Sequence, residues 1–311
     1  MSATFHVDFF SDDLELSQIE NLLNLVFPNS DHSKEKLKRK HLDNPHGPSI
    51  ISYAKEGDNL IAFRAFWRMN FVISSKTFIG YQPCDTATHP DYRGKGFFKK
   101  LTLLALEEAK KQNVDVILNF PNNNSYPGYL KLGWIDFPKL NRYVFPVNYF
   151  NIIKSFLLSR KNGKNMGKVS NKNSCQFENN GTLAFSEKCE LLIDEKYFNW
   201  RFNSNSSKTY VSNKVINNFF VLKLKVRGSL KEAEIVYAKN QISKKDINTL
   251  KKELIKEYRV DFISVIYQNS NIILNNGFFK VPNQIKFVGI CLNKEIDPAE
   301  LRFQPMWLDT I

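Results

Sequence analysis

The sequence predicts an α/β protein with a mixed sheet, built twice along the chain. Three observations carry this reading. Strand-like and helix-like periodicities alternate in the order β-α-β-β-β-α-β-α-β over the first half. A glycine-containing turn joins a strand to an amphipathic helix at residues 89–101. Short segments of the second half echo the first at offsets of 160, 146 and 144 residues.

The elements follow in order. Residues 4–10 alternate as a short strand. Leu16, Ile19, Leu22, Leu23 and Val26 recur at helical spacing behind Asp12 and Asp13, which suit a helix start. Segments 50–55 and 60–73 read as the strands of a hairpin turned at Glu56-Gly57-Asp58-Asn59. Segment 78–88 is a further strand, in which Pro83 predicts a bulge. Residues 95–112 form an amphipathic helix with Phe97, Phe98, Leu101, Leu104, Ala105 and Ala109 on one face. The apolar run 114–120 suits a buried parallel strand. A short helix and a strand at 142–147 complete the first half.

Residues 161–181, rich in Lys, Asn, Gly and Ser, mark a boundary. The expected organisation is a first domain at 1–150, a basic linker at 151–182 and a degenerate second copy at 183–311. Leu42-Asp43-Asn44-Pro45 is echoed by Phe202-Asn203-Ser204-Asn205. Val114-Asp115-Val116-Ile117 is echoed by Val260-Asp261-Phe262-Ile263, and Gly133-Trp134 by Gly277-Phe278. The offset falls by 14 between the first two echoes. The second copy is therefore expected to be shorter where the first carries its glycine turn.

Composition narrows the function. With 311 residues and 42% apolar content the chain can bury two cores. No run of about 18 apolar residues exists, and the first residues lack the pattern of a secretory signal. Cys84, Cys175, Cys189 and Cys291 fit neither a disulfide framework nor a zinc spacing, and His6, His32, His41 and His46 show no metal-ligand pattern. A cytoplasmic protein without a metal is expected. The net charge of +13 favours anionic partners. Six Lys or Arg and no acid lie between Lys154 and Lys172, as a solvated linker or a patch for an anion. No nucleic-acid-binding signature accompanies the charge, so nucleic acid is not an expected partner. The apolar stretch 148–161 reads as an interdomain helix in preference to a membrane-surface helix.

The sharpest chemistry is HPDYRGKGFFKKL, from His89 to Leu101. Pro90 breaks a strand, two glycines frame Lys95, and a helix begins at once. Unpaired amides at a helix start, together with its dipole, make a cradle for phosphate oxygens. Arg93 and Lys95 add charge-assisted contacts. Neither a Walker loop nor a dinucleotide fingerprint fits, because the required glycine and Lys-Ser/Thr spacings are missing.

Downstream stand Asn122, Tyr129 seven residues on, and Gly133-Trp134 four residues after that. With Pro90-Asp91-Tyr92-Arg93-Gly94-Lys95-Gly96, this resembles the GNAT acyltransferase superfamily over roughly residues 1–150. Asp91 departs from the family's usual Gln or Arg. The resemblance implies a GNAT fold, tandem in this chain, and acetyl-CoA as co-substrate. Its pyrophosphate would lie on the amides of Arg93, Gly94, Lys95, Gly96 and Phe97, near Asn122. Its pantetheine would pair like an added strand with Thr86, Ala87 and Thr88. Tyr129 matches the general acid that protonates the departing thiolate, or else packs beneath the cofactor. Asp85 is the first candidate for the base, with His89 or a carbonyl–water chain as alternatives. The acceptor implied is the amine of a small molecule, an amino sugar of surface polysaccharide synthesis among the options. A non-catalytic acyl-CoA sensor is the competing reading. Oligomeric state is unreadable from the sequence.

Overall fold

A computed structural model describes residues 3–73, 76–159, 190–203, 209–215, 218–268, 270–298 and 301. The first elements are β1 (Thr4–Phe9), α1 (Leu16–Val26), α2 (Lys34–His41), β2 (Ile50–Glu56), β3 (Asn59–Ile73) and β4 (Lys76–Thr88). Then come α3 (Phe97–Lys111), β5 (Val116–Asn119), α4 (Tyr126–Lys131), β6 (Ile135–Asp136), β7 (Leu140–Pro146) and α5 (Tyr149–Ser159). The second half has β8 (Glu190–Leu191), α6 (Glu195–Phe202), β9 (Thr209–Val215), β10 (Asn218–Arg227) and β11 (Leu230–Ala238). It ends with α7 (Lys244–Tyr258), β12 (Phe262–Tyr267), α8 (Ser270–Asn275), β13 (Phe279–Ile285) and β14 (Val288–Cys291). The expected linker 161–181 lies outside the described residues.

The chain forms two compact units. One comprises Met1–Phe137, Leu183–Ile193 and Lys286–Leu301; the other comprises Pro138–Thr182, Asp194–Ile285 and Arg302–Ile311. Neither is contiguous in sequence.

In the first unit the strand order is β1-β2-β3-β4-β5-β14-β6, with β8 beside β3. All pairings are antiparallel except β4 with β5. Helix α3 turns Phe97, Leu101, Thr102, Ala105, Leu106 and Ala109 inward. Ala105 and Ala109 join Phe66, Tyr81, Ile117 and Val288 in one buried cluster. On the opposite face, Ile19, Leu22 and Leu23 of α1 meet Ile51, Phe63 and Ala65. The amphipathic patterns of both helices thus predict the faces they bury.

The second unit repeats this order as β13-β7-β12-β11-β10-β9, with β11 and β12 its parallel pair. Helices α3 and α7 are both 15 residues long, and α4 and α8 are both 6. The duplication expected from short echoes is present in the fold. Its length difference lies elsewhere than expected. Asn59 and Asn218 open the hairpins 159 residues apart, Thr88 and Ala238 close them 150 apart, and Phe97 and Lys244 start the helices 147 apart. Most of the shortening therefore falls in the β10–β11 hairpin and only the remainder in the turn.

The strand expected to complete the first half does not do so. β7 pairs with β12 and β13 in the second sheet, while β14 pairs with β5 and β6 in the first. Each sheet thus receives one strand from the other copy. A single aspartate anchors each arrangement. The Asp115 carboxylate accepts from the Ile79 amide at 2.7 Å and from Asn293 Nδ2 at 2.7 Å. Its amide donates to Ile79 O, and its carbonyl accepts from the amides of Leu292 and Asn293, at 2.8, 2.8 and 2.9 Å. Asp261 does the same with Lys231, Asn151, Val147 and Asn148. The aspartates of the second echo are therefore matching clamps that tie the start of the parallel pair to the exchanged strand.

Asp115→Ala should lower unfolding free energy by about 2–4 kcal/mol, because a charged hydrogen-bond acceptor is lost and the Ile79 amide is left without it. Urea denaturation checks this against exposed Asp58→Ala, and equal losses would remove the clamp from the account.

Candidate active site

The site begins with a gap in the first sheet. β4 and β5 pair only at Gly80–Val116 and Tyr81–Ile117. Beyond Tyr81 the strands part, so the β5-facing edge of β4 from Gln82 to Thr88 is left without a strand. An extended chain can add to such an edge through its backbone groups. Thr86, Ala87 and Thr88 lie along it.

The gap leads to the glycine turn. Gly94 has φ +78° and Gly96 φ +81°, a region that side-chain-bearing residues rarely enter. A Cβ on either would meet nothing within 4 Å, so neither glycine serves packing. Gly96 caps α3 without any side-chain bond. Among the described residues, the amides of Gly94, Lys95, Gly96, Phe97, Phe98 and Lys99 donate to no acceptor. The amide of Arg93 is different: it donates to Pro90 O at 3.2 Å. The unengaged amides therefore run from Gly94 to Lys99, whereas the sequence reading named Arg93 to Phe97. These groups fit a diphosphate by chemistry and by space.

Aromatic residues brace the turn. Tyr92 donates to Glu56, its ring stands edge-on to Phe97 at 6.3 Å, and Lys95 Nζ sits 4.6 Å above it. Phe97 stacks on Phe5 at 5.6 Å. His89 Nδ1 accepts from the Asp91 amide at 3.4 Å and caps the single turn Pro90–Tyr92. That is a structural task for the alternative base.

The bulge in β4 sits at Asp85 and Thr86, not at Pro83. Arg64 alone lies opposite these two residues, between the pairs Phe63–Ala87 and Ala65–Cys84. Asp85 adopts φ +45°, a costly conformation for a non-glycine residue. It is held there by α2: Lys40 Nζ and His41 Nε2 both lie 2.8 Å from Asp85 Oδ2. His41 Nδ1 lies 2.8 Å from Ser49 Oγ, extending the buried network. Burial works against the Asp85 anion, but Lys40 and His41 outweigh it and hold the carboxyl well below the usual range. A carboxylate so engaged accepts protons poorly, and these surroundings count against Asp85 as the general base. Burial lowers the His41 pKa and pushes the Cys84 thiol up to about 12, so that thiol is no nucleophile. His41, Cys84 and Asp85 also lie within 4.8 Å of one another, a set that would suit a metal. Lys40 already supplies a cation to the same carboxylate oxygen.

Tyr129 lies in α4 at 3% exposure, edge-on to Phe98 at 5.3 Å and against Trp134 at 4.6 Å. Burial raises its pKa, partly offset by Arg64, so the phenol is protonated at neutral pH. Its hydroxyl accepts from Arg64 Nη2. Asn122 Oδ1 accepts from the amides of Asn124 and Ser125, at 3.0 and 2.9 Å, and so fixes the loop entering α4. Arg64 was missed by sequence reasoning. One charge inside the apolar run Leu60–Trp67 was the available signal.

The second unit lacks this equipment. Its turn, 239–243, holds no glycine. Ser243 and Asp246 form a capping box that occupies amides at the start of α7. Ile273 of α8 stands where α4 has Tyr129.

Residues 11–135 match the acetyltransferase (GNAT) domain family. No curated protein sequence matches the chain significantly. Solved structures are similar over nearly its whole length. The GCN5-related N-acetyltransferase from Kribbella flavida has a TM-score of 0.62 at 11% identity, covering 94% of this chain and 72% of that one. That from Anabaena variabilis ATCC 29413 gives 0.61 at 12%, covering 93% and 73%. Saccharomyces cerevisiae N-myristoyltransferase with bound myristoyl-CoA gives 0.53 at 13%, covering 92% and 82%. At these identities the likeness is one of fold.

Asp85→Asn should cost about 3–5 kcal/mol at neutral pH, because buried Lys40 loses its counter-ion. The folded pKa of Asp85 is lowered. Its contribution is therefore full above the unfolded carboxylate pKa, about 4, and is lost as pH falls below that. Thermal unfolding from pH 7 to pH 2 should show a shallower acid limb in the variant; parallel limbs would contradict the assignment.

Proposed function

We propose that the chain, whose residues 11–135 match the acetyltransferase (GNAT) domain family, transfers an acetyl group from acetyl-CoA to the amine of a small molecule. The observation that carries this is the row of unengaged amides at the start of α3, behind two left-handed glycines and beside the parted strands β4 and β5. The diphosphate binds the amides of Gly94 to Lys99, with Arg93 and Lys95 adding charge. The pantetheine arm lies along Thr86, Ala87 and Thr88 and delivers the thioester toward Tyr129.

The amine nitrogen attacks the thioester carbon, the C–N bond forms, and the C–S bond breaks. Tyr129 gives its phenolic proton to the departing sulfur. Asp85 takes no part, being held by Lys40 and His41. The net charge of +13 favours an anionic acceptor, and a nucleotide-linked amino sugar of surface polysaccharide synthesis fits that preference.

The test is thiol release from acetyl-CoA against a panel of amines that includes nucleotide-linked amino sugars, polyamines and amino acids. Turnover on one class is expected. Tight acetyl-CoA binding without turnover on any amine would replace catalysis by acyl-CoA sensing. Gly94→Val with Gly96→Val should abolish the calorimetric heat of acetyl-CoA binding while the protein stays folded. Heat surviving both changes would place the diphosphate elsewhere. Tyr129→Phe should lower kcat about tenfold or more with little change in KM for acetyl-CoA; unchanged kcat would remove Tyr129 from the chemistry.

A further inference from the structure

Arg64 is fully buried, and its surroundings are unusual for a guanidinium. Nη2 donates to the Tyr129 hydroxyl. Nε and Nη1 are buried and meet no hydrogen-bond partner among the described residues. No carboxylate there pairs with the group. Its Cζ lies instead 5.3 Å from the ring centre of Phe66, 4.8 Å from that of Phe98 and 5.3 Å from that of Tyr129. Aromatic faces offset part of the cost of a buried cation. A charge taken from water without a counter-ion remains costly. A buried charge left without a counter-ion beside a candidate acid marks a functional site.

We propose that Arg64 is the positioning residue that makes Tyr129 an effective acid, directing its hydroxyl proton outward and pairing with the phenolate formed when that proton leaves. This rests on the reading that Tyr129 faces the thioester sulfur. A phenol oxygen that accepts from Arg64 has one hydrogen to give elsewhere, and among the described residues the Tyr129 hydroxyl has no acceptor of its own. The protons balance without a carboxylate base. The acceptor ammonium loses one proton to water and attacks as the free amine. As the C–S bond breaks, the sulfur takes the phenolic proton. The phenolate, paired with Arg64, then takes the second proton from the newly acylated nitrogen. Neutral amide, free thiol and phenol are restored.

The test uses the full chain and compares Arg64→Met, Arg64→Lys, Tyr129→Phe and the double variant Arg64→Met/Tyr129→Phe. Readouts are acetyl-CoA heat by calorimetry, KM for acetyl-CoA, and kcat on the best amine. Arg64→Met should bind acetyl-CoA with wild-type affinity and KM while kcat falls about tenfold or more. Arg64→Lys should recover part of that loss, and the double variant should be no slower than Tyr129→Phe alone. The proposal is overturned by an Arg64→Met kcat within twofold of wild type, or by losses that multiply in the double variant. If Arg64→Met loses the binding heat, Arg64→Lys decides by its kcat at unchanged KM and by its cycle with Tyr129→Phe. Failure of the parent reading is distinct: wild type then shows no acetyl-CoA heat, or heat without turnover.

Discussion

The arrangement rests on one aspartate at the foot of a parallel strand pair. Asp115 uses its carboxylate, amide and carbonyl to fasten β5 to β4 and to the strand arriving from the far end of the chain. Every one of these bonds spans elements distant in sequence. Removing the residue would loosen three strands at once. Because β4 and β5 are joined only beside this clamp, they are free to diverge above it. The gap in the sheet is thus a consequence of where pairing is enforced.

The two units differ most at the turn between the first strand of the parallel pair and its helix. Both have the clamp, a parallel pair and a following helix of 15 residues. In the first, glycines leave the helix start bare. In the second, Ser243 and Asp246 satisfy it internally, and four residue pairs rather than two join the parallel strands. A cap that stabilises a helix also fills the place an oxyanion would take. The second unit keeps the fold but not the bare helix start.

Much of this was legible in the sequence, for identifiable reasons. Gly94 and Gly96 are visible because few other residues tolerate their backbone conformation. Helices α1 and α3 are visible because their apolar faces repeat at helical period. Helix α2 was missed: Lys34–His41 contains a single apolar residue, and two of its three buried positions are Lys40 and His41. Composition predicts such residues to be exposed, and their shared partner Asp85 lies far along the chain. The bulge was read at Pro83 because proline is the visible strand breaker, whereas Asp85 carries no such mark in the sequence. Strand β7 was recognised as a strand but given to the wrong sheet, because periodicity identifies a strand and not its neighbours.

The reciprocal trade of β7 and β14 has a consequence for how the chain can be divided. Either half of the sequence, keeping these same pairings, would lack an inner strand of its sheet. A fragment ending after β6 or one starting at β8 would each expose two strand edges where a strand now sits. Any piece able to close either sheet therefore crosses from one repeat into the other.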